Sequence, residues 1–294
     1  MNPGSSPVGV VGLGLVGSAL GQRLTSAGFA VLGHDLRPEA RAAWFAQGLP
    51  VADTLADLAQ RCPRVVLAVF DTTGVLQVVE GNGGLLANAS PQALVDCSTG
   101  DPDALQALAA RLAARRVDFI EAPLSGSSAQ IAAGQATALL GADAAALVRH
   151  ADLLQALCPR HLHVGGAGFG ARAKLATNLV LGLNRAALAE GLVFAERLGI
   201  APEVFLSLVL ATPARSDAAL AKGERMVRGD FHPPQSRIRQ HLKDLQLMLA
   251  AAQAAGQGLP LTATHAALLQ AAVDHGDGEL DNAAVILQMR RQQP

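Results

Sequence analysis

Three glycines near the N-terminus have the spacing of a phosphate-binding turn. Gly12, Gly14 and Gly17 form a GxGxxG pattern between a short apolar segment and a helical one. In such a turn the first glycine permits the sharp bend, the second lets the backbone approach a pyrophosphate, and the third allows close packing of helix on strand. Amides at the start of the helix then bind phosphate oxygens. The pattern predicts a dinucleotide-binding turn made of Gly12, Leu13, Gly14, Leu15, Val16 and Gly17.

An acidic residue at the end of the next apolar segment supports this prediction. Asp35 stands where a carboxylate accepts hydrogen bonds from the ribose hydroxyls of the adenosine. A carboxylate there repels a 2′-phosphate, which favours NAD over NADP. Arg37, two residues later, is able to pair with such a phosphate, so NADP stays open.

A lysine and an asparagine in the second half of the chain have the spacing of an acid/base pair. Lys174 and Asn178 are four residues apart and therefore share one face of a helix. Their neighbours are mostly apolar, and desolvation would lower the pKa of Lys174 toward neutrality, as proton transfer to a hydroxyl or carbonyl oxygen requires. The alternative is a lysine whose ammonium extends to solvent from an ordinary amphipathic helix.

A Ser-Gly turn follows one of the predicted strands. Ser125 and Gly126 come shortly after residues 117–122, and ligands of parallel sheets bind beyond the carboxyl ends of the strands. The hydroxyl and the backbone amides there suit a carboxylate. A solvated turn without a ligand is the other interpretation.

Cysteine and histidine give no comparable signal. The three cysteines, Cys62, Cys97 and Cys158, are too widely spaced for a metal knuckle or a disulfide framework, which favours a reducing cytosol. His161 and His163 share a strand face but no third ligand accompanies them, so we expect no metal.

Alternating strands and helices precede a wholly helical region. The predicted strands are residues 7–12, 30–35, 64–70, 93–98, 117–122, 136–140 and 161–165. The predicted helices between them are residues 15–27, 38–47, 54–61, 101–114 and 143–157. Those that follow are residues 171–198, 202–211, 217–227, 235–255, 260–274 and 283–290. The pattern predicts an α/β domain with a doubly wound, mostly parallel sheet over residues 1–164, and an all-α domain over residues 165–294.

Composition excludes several classes of protein. Of the 294 residues, 50% are hydrophobic and 16% charged, which excludes a disordered chain. A net charge of -1 without a basic stripe argues against nucleic-acid binding. No uninterrupted apolar run is long enough for a membrane span, and no basic segment precedes the first apolar stretch as in a signal peptide. We therefore expect a cytoplasmic protein.

Taken together, these motifs resemble those of the β-hydroxyacid dehydrogenase family over essentially the whole chain. The blocks that carry the resemblance are residues 12–17, 95–99, 121–126 and 168–174 with Asn178, and the pair Lys243-Asp244. The resemblance implies a Rossmann domain followed by a helical domain that begins with a long interdomain helix. It also implies a homodimer or homotetramer and an NAD(P)-dependent oxidation of a small hydroxy acid. The hydroxy acid would be 3-hydroxyisobutyrate-, glycerate/tartronate semialdehyde- or threonate-like.

The resemblance also implies a role for each matching residue. Lys174 would be the general acid/base, with Asn178 binding the substrate beside it and Ser125 and Gly126 binding the substrate carboxylate. Further cofactor contacts would come from four residues: Val69, Phe70, Thr99 and Lys243.

Three positions depart from the family pattern and leave the substrate open. Ser127 stands where a second glycine is usual, Thr177 replaces an asparagine, and Ser236 stands where many members have phenylalanine. Two other functions are possible on this scaffold: imine or semialdehyde reduction, and cofactor sensing without catalysis. Related imine reductases usually lack the lysine, so Lys174 argues against the first. The combination of Lys174 with Ser125 and Gly126 argues against the second.

Overall fold

A computed structural model describes residues 6–87 and 91–291. The strands are β1 Val8–Val11, β2 Val31–His34, β3 Arg64–Leu67, β4 Ala93–Asp96, β5 Asp118–Glu121, β6 Leu124–Ser125, β7 Thr137–Gly141 and β8 Arg160–Gly165. The helices associated with them are α1 Leu15–Ser26, α2 Pro38–Phe45, α3 Leu55–Arg61, α4 Thr72–Glu80, α5 Pro102–Ala114, α6 Ser128–Ala132, α7 Ala144–Arg149 and α8 Ala151–Leu157. The remaining helices are α9 Phe169–Arg197, α10 Pro202–Ala211, α11 Asp217–Arg228, α12 Ile238–Ala254, α13 Pro260–Asp274 and α14 Val285–Arg291. Two 3-10 turns, Asp277–Glu279 and Asn282–Ala284, precede α14.

The eight strands form one mostly parallel sheet in the order β2-β1-β3-β4-β5-β7-β6, with β8 paired to β7. Strands β1 to β5 are parallel to one another, whereas β7 runs antiparallel to β5 and β6. The predicted α/β fold with helices after the strands is confirmed. Because β1 to β4 point the same way, the loops that follow them meet at one edge of the sheet.

Both faces of this sheet are covered, which explains the apolar character of its strands. Val10 and Ile120 belong to the core on one face, and Val11 and Leu94 belong to the core on the other. Successive side chains of a strand point to opposite faces, so a strand buried on both sides is apolar at nearly every position.

The C-terminal helices have a separate core. It includes Leu192 of α9, Met226 of α11, Leu245 of α12 and Leu269 of α13. Among the described residues beyond β8 there is no strand. The predicted helical character of this region is therefore confirmed.

By its contacts the chain divides into two compact units, Met1–Lys174 and Leu175–Pro294, which we call the sheet unit and the helical unit. The dividing point lies inside α9, whereas the sequence-based domain boundary at residue 164 precedes that helix. Helix α9 is also the one described helix long and apolar enough to cross a membrane by length and mean hydropathy, which is 1.2. Its apolar side chains Leu188 and Leu192 are buried in the core of the helical unit.

Three local features differ from the prediction. Helix α4 was not predicted, because Thr and Val, which favour strands, fill most of its sequence. The two-residue strand β6 and the short helix α6 are below the length at which a pattern is recognisable. The single helix predicted over residues 143–157 is two helices that meet at His150, whose imidazole contacts Asp118 at 2.9 Å.

Candidate active site

The glycine motif forms a tight turn between β1 and α1. Gly12 has φ +91, a conformation that favours glycine, and its amide donates to the carbonyl of His34 at 2.9 Å. A Cβ at Gly17 would overlap the carbonyl oxygen of Gly12, so no other residue permits helix and strand to pack this closely. These positions have the geometry that the GxGxxG interpretation requires.

The start of α1 leaves room for a phosphate group. Gly14 occupies the N-cap position, and no described side chain caps the amides that follow it at Leu15 and Val16. A Cβ placed on Gly14 would have Arg37 Nη2 as its nearest neighbour, at 3.8 Å. Open amides beside a cationic side chain fit the diphosphate of a dinucleotide.

Asp35 is held in place at the end of β2. Its carboxylate accepts the amide of Leu13 at 2.8 Å and the Nε and Nη2 atoms of Arg37, each at 3.1 Å. Burial opposes ionisation, but the hydrogen bonds from Arg37 and Leu13 outweigh it and lower the pKa of Asp35. The carboxylate is therefore ionised at neutral pH and already paired with the arginine that was a candidate for a 2′-phosphate.

The loops after β3 and β4 lie at the same edge of the sheet. The amide of Val69 donates to Ser98 Oγ at 3.1 Å, which joins the two loops. Phe70 is half exposed, and Thr99 is partly buried. These three predicted cofactor residues thus lie in the loops at the carboxyl end of the sheet.

Lys174 is buried and bound to the segment that contains the Ser-Gly turn. Only 7% of the residue is exposed, and its Nζ donates to the carbonyl of Leu124 at 2.6 Å. Leu124 directly precedes Ser125 and Gly126, so Lys174 Nζ contacts the residue next to the predicted carboxylate site. Ser127, the departure from the family pattern, caps α6 in a reciprocal arrangement with Gln130.

Glu121 is a site feature to which the sequence assigned no role. Its carboxylate is 1% exposed and accepts the amides of Gly168 and Ala171, the latter at 2.7 Å, at the start of α9. Burial raises the pKa of Glu121 to about 7, although these two hydrogen bonds act in the opposite direction. The first turn of the helix that carries Lys174 is therefore anchored to the end of β5.

Asn178 lies one turn beyond Lys174 on α9. Within the helical unit its Nδ2 donates to Asp244 Oδ2 at 3.3 Å. Lys243, next to Asp244 on α12, is mostly buried and its Nζ lies 3.1 Å from Asp244 Oδ1. The predicted residues Asn178 and Lys243 therefore both contact Asp244.

His161 and His163 contact backbone carbonyls. His161 Nδ1 lies 2.9 Å from the carbonyl oxygen of Cys158, and His163 Nε2 lies 3.0 Å from that of Ala142. Across residues 6–87 and 91–291, no group of three or more His, Cys, Asp or Glu side chains could hold a metal ion.

Comparison with known proteins gives matches along almost the whole chain. A family model described as the NAD binding domain of 6-phosphogluconate dehydrogenase matches residues 7–165. A second, described as NAD-binding of NADP-dependent 3-hydroxyisobutyrate dehydrogenase, matches residues 168–289.

Individual relatives agree with these matches. The chain is 31% identical to 2-(hydroxymethyl)glutarate dehydrogenase of Eubacterium barkeri, over 96% of this chain and 94% of that protein. It is 32% identical to L-threonate dehydrogenase of Cupriavidus necator, over 96% and 95%. A crystal structure of 3-hydroxyisobutyrate dehydrogenase from Salmonella typhimurium superposes with a TM-score of 0.87 at 29% identity, covering 96% of this chain and 99% of that one.

Proposed function

Because the chain belongs to the β-hydroxyacid dehydrogenase family and is an NAD(P)-dependent oxidoreductase, we propose that its substrate is a short β-hydroxy acid. The observation that carries the proposal is the buried Lys174, whose Nζ is bound to the carbonyl that precedes Ser125 and Gly126. This contact supports the proposal of an acid/base group beside a carboxylate-binding turn. The named relatives act on 2-(hydroxymethyl)glutarate, L-threonate or 3-hydroxyisobutyrate, and the substrate proposed here is of that kind.

Lys174 is the proposed general acid/base. A bound nicotinamide supplies the acceptor or donor of the hydride. In oxidation, neutral Lys174 takes the proton of the substrate hydroxyl as the hydride leaves the carbinol carbon. In reduction, the Lys174 ammonium gives a proton to the developing alkoxide. Asn178, four residues on, is proposed to orient the substrate oxygen, and Ser125 with Gly126 to hold the carboxylate.

The cofactor-binding residues are proposed from the same set of loops. The turn of residues 12–17 would bind the diphosphate, and Asp35 the adenosine ribose. Val69, Phe70 and Lys243 would add further cofactor contacts, and Thr99 would lie near the nicotinamide ribose. We infer a preference for NAD over NADP. The ionised Asp35 would repel a 2′-phosphate, and Arg37 already forms an ion pair with Asp35.

We propose that the two sequence-based domains have different roles. Residues 1–164 would bind the cofactor, and residues 165–294 would contribute to substrate binding and to a homodimer or homotetramer. Exposed apolar side chains on α9, directly after α9 and on α10 support self-association: Val180, Phe194, Leu198, Val204 and Leu208. A cytoplasmic location, without membrane or nucleic-acid partners, is proposed as well, and the three buried free cysteines support it.

A spectrophotometric assay tests the proposal. The purified protein is mixed with NAD or NADP at mildly alkaline pH and a panel of short 2- and 3-hydroxy acids, with Lys174→Ala as control. We expect lysine-dependent reduction of NAD with at least one 3-hydroxy acid. Tight cofactor binding without turnover on any hydroxy acid, semialdehyde or imine would favour the sensor function instead.

A further inference from the structure

A buried arginine in the helical unit leaves part of its guanidinium without a hydrogen bond. Arg185 of α9 is 5% exposed, and its Nη1 has no hydrogen-bond partner within residues 6–87 and 91–291. A guanidinium carries five N–H donors, and leaving them unsatisfied in the interior is costly. Such a group indicates a ligand of opposite charge.

Two imidazoles accompany Arg185. His265 of α13 is 2% exposed, and neither of its ring nitrogens has a partner in the described part of the chain. The ring of His241 on α12 lies 5.2 Å from that of His265, centroid to centroid. Burial lowers the pKa of His265 to about 4, so at neutral pH this imidazole is uncharged and offers one N–H donor.

Gly182 of α9 leaves room for the imidazole rings of His241 and His265. A Cβ on Gly182 would lie 2.6 Å from His241 Nε2 and 3.3 Å from His265 Cε1. Both imidazoles therefore pack against the backbone of α9, three residues before Arg185.

The buried carboxylate that acts on Arg185 is already paired with other cations. Asp281 accepts Lys222 Nζ at 2.8 and 2.9 Å and Arg225 Nη1 at 3.1 Å, together with the amides of Gln235 and Ala283. Asp281 influences Arg185 only through space, and burial lowers the pKa of Arg185 to about 10. At neutral pH the Arg185 guanidinium is still charged. Three cations, Arg185, Lys222 and Arg225, are therefore near the single carboxylate of Asp281.

Arg185 lies on the same face of α9 as the proposed catalytic pair. At about 100° per residue, it projects within roughly 20° of Lys174 and of Asn178. Its Cα is about 10 Å along the axis from that of Asn178, and helical side chains point back toward the N-terminus. Lys174 and Asn178 are 7% and 9% exposed, so Arg185 is buried to a similar degree as residues proposed to contact substrate.

Resting on the proposed function, we propose that Arg185, with His265 and His241, forms a carboxylate-binding subsite for the second carboxylate of a dicarboxylic hydroxy acid. Arginine binds carboxylates through two parallel hydrogen bonds, and the neutral His265 supplies a further donor. Within the helical unit, the substrate would then contact Asn178 near its hydroxyl oxygen and Arg185 at this carboxylate.

Substrate discrimination tests this subsite. Values of kcat/KM are measured for the dicarboxylate 2-(hydroxymethyl)glutarate and the monocarboxylate 3-hydroxyisobutyrate. The proteins compared are the wild type, Arg185→Met and Arg185→Lys. The control is Arg197→Met, which removes an exposed arginine from the same helix. We expect Arg185→Met to lose about 10- to 100-fold on the dicarboxylate, with little change on the monocarboxylate. Arg185→Lys should lose less, because it keeps the charge but not the planar fork.

A binding measurement separates this proposal from the proposed function. Glutarate, which has no hydroxyl to oxidise, is titrated by calorimetry into the cofactor-loaded protein. We expect binding that competes with substrate and weakens about 10-fold or more in Arg185→Met, but not in Arg197→Met. This result would stand even if no hydroxy acid were turned over.

Three results would overturn the subsite. They are an equal loss on both substrates in Arg185→Met, glutarate affinity unchanged by that variant, and glutarate binding that does not compete with substrate. The last would indicate a separate anion site. Melting curves of each variant confirm that the compared proteins are folded.

Discussion

Glu121 and Lys174 form two contacts that join residues 121–124 to the start of α9. Glu121 ends β5 and holds the amides at the start of α9, while three residues later Leu124 accepts the Lys174 ammonium. The position of the Lys174 nitrogen relative to Ser125 is therefore fixed by two contacts, not by one side-chain rotamer. This is the preorganisation that an acid/base residue requires.

Glu121 gives the folded protein a distinctive pH dependence. Its folded-state pKa of about 7 lies above the ordinary value of 4.5, so the carboxyl stabilises the protein fully at low pH and this contribution is lost as the pH rises through 7. We expect the free energy of unfolding of the wild type to fall between pH 4.5 and 7 relative to Glu121→Gln, by up to about 1.4 kcal/mol per pH unit. Urea denaturation at several pH values measures this, and parallel curves for the two proteins would refute it.

Short sequence patterns identify some of these site residues but not others. Lys174, Asn178 and Ser125 stood out because short-range patterns carry them. The role of Glu121 depends on contacts across 47 and 50 residues, which no local pattern records. In the sequence, nothing distinguishes Arg185 from an ordinary arginine of an apolar helix. Its unsatisfied Nη1 becomes visible only in the packed structure.

At the scale of elements, the β1–α1 turn depends on close backbone approach. Gly17→Ala would force a methyl group into the carbonyl of Gly12. We expect a loss of stability of about 1–3 kcal/mol, as for overpacked sites, and a marked loss of NAD affinity. Thermal melting and fluorescence titration with NADH measure the two effects.

Gly74→Ala in α4 is the matched control. The nearest atom to its added Cβ is Asp71 Oδ1 at 3.4 Å, an ordinary contact. Alanine favours helix over glycine by up to about 1 kcal/mol, so this variant should be as stable as the wild type or more so. A Gly17→Ala protein that matched it in stability and NADH affinity would contradict the packing argument.

Helix α4 shows what a sequence pattern alone misses. Its N-terminus is fixed by Asp71, whose carboxylate accepts the amide of Gly74 at 2.8 Å, and Val75, Val78 and Val79 are buried on one face. The cap and the i, i+3, i+4 spacing outweigh the strand preference of valine. By contrast, the sheet itself was predictable, since its strands are apolar runs separated by clear helical segments.

At the scale of the whole molecule, the helical unit exposes several large apolar side chains. Phe194 of α9 and Leu198, the residue that follows this helix, are each more than 60% exposed. If they form a contact between copies, Phe194→Asp should lower the molar mass in solution from that of a dimer or tetramer toward that of a monomer. Light scattering after size exclusion measures this.

Val148→Asp provides a matched control in the sheet unit. Val148 of α7 is 78% exposed, so the substitution adds the same charge at another exposed apolar position. We expect its oligomeric state to equal that of the wild type. A monomeric wild type, or the same change in both variants, would contradict the proposed contact.

The most direct test of the proposed function is a single-turnover measurement on Lys174→Met. This variant keeps the length and apolar stem of the side chain but removes the group that donates to Leu124. With saturating cofactor and the best hydroxy acid of the panel, absorbance at 340 nm reports hydride transfer, and NADH fluorescence reports cofactor affinity. We predict a rate at least about 100-fold lower than that of the wild type, with cofactor affinity unchanged. A rate close to the wild type, or a parallel loss of cofactor affinity, would contradict Lys174 as the acid/base group.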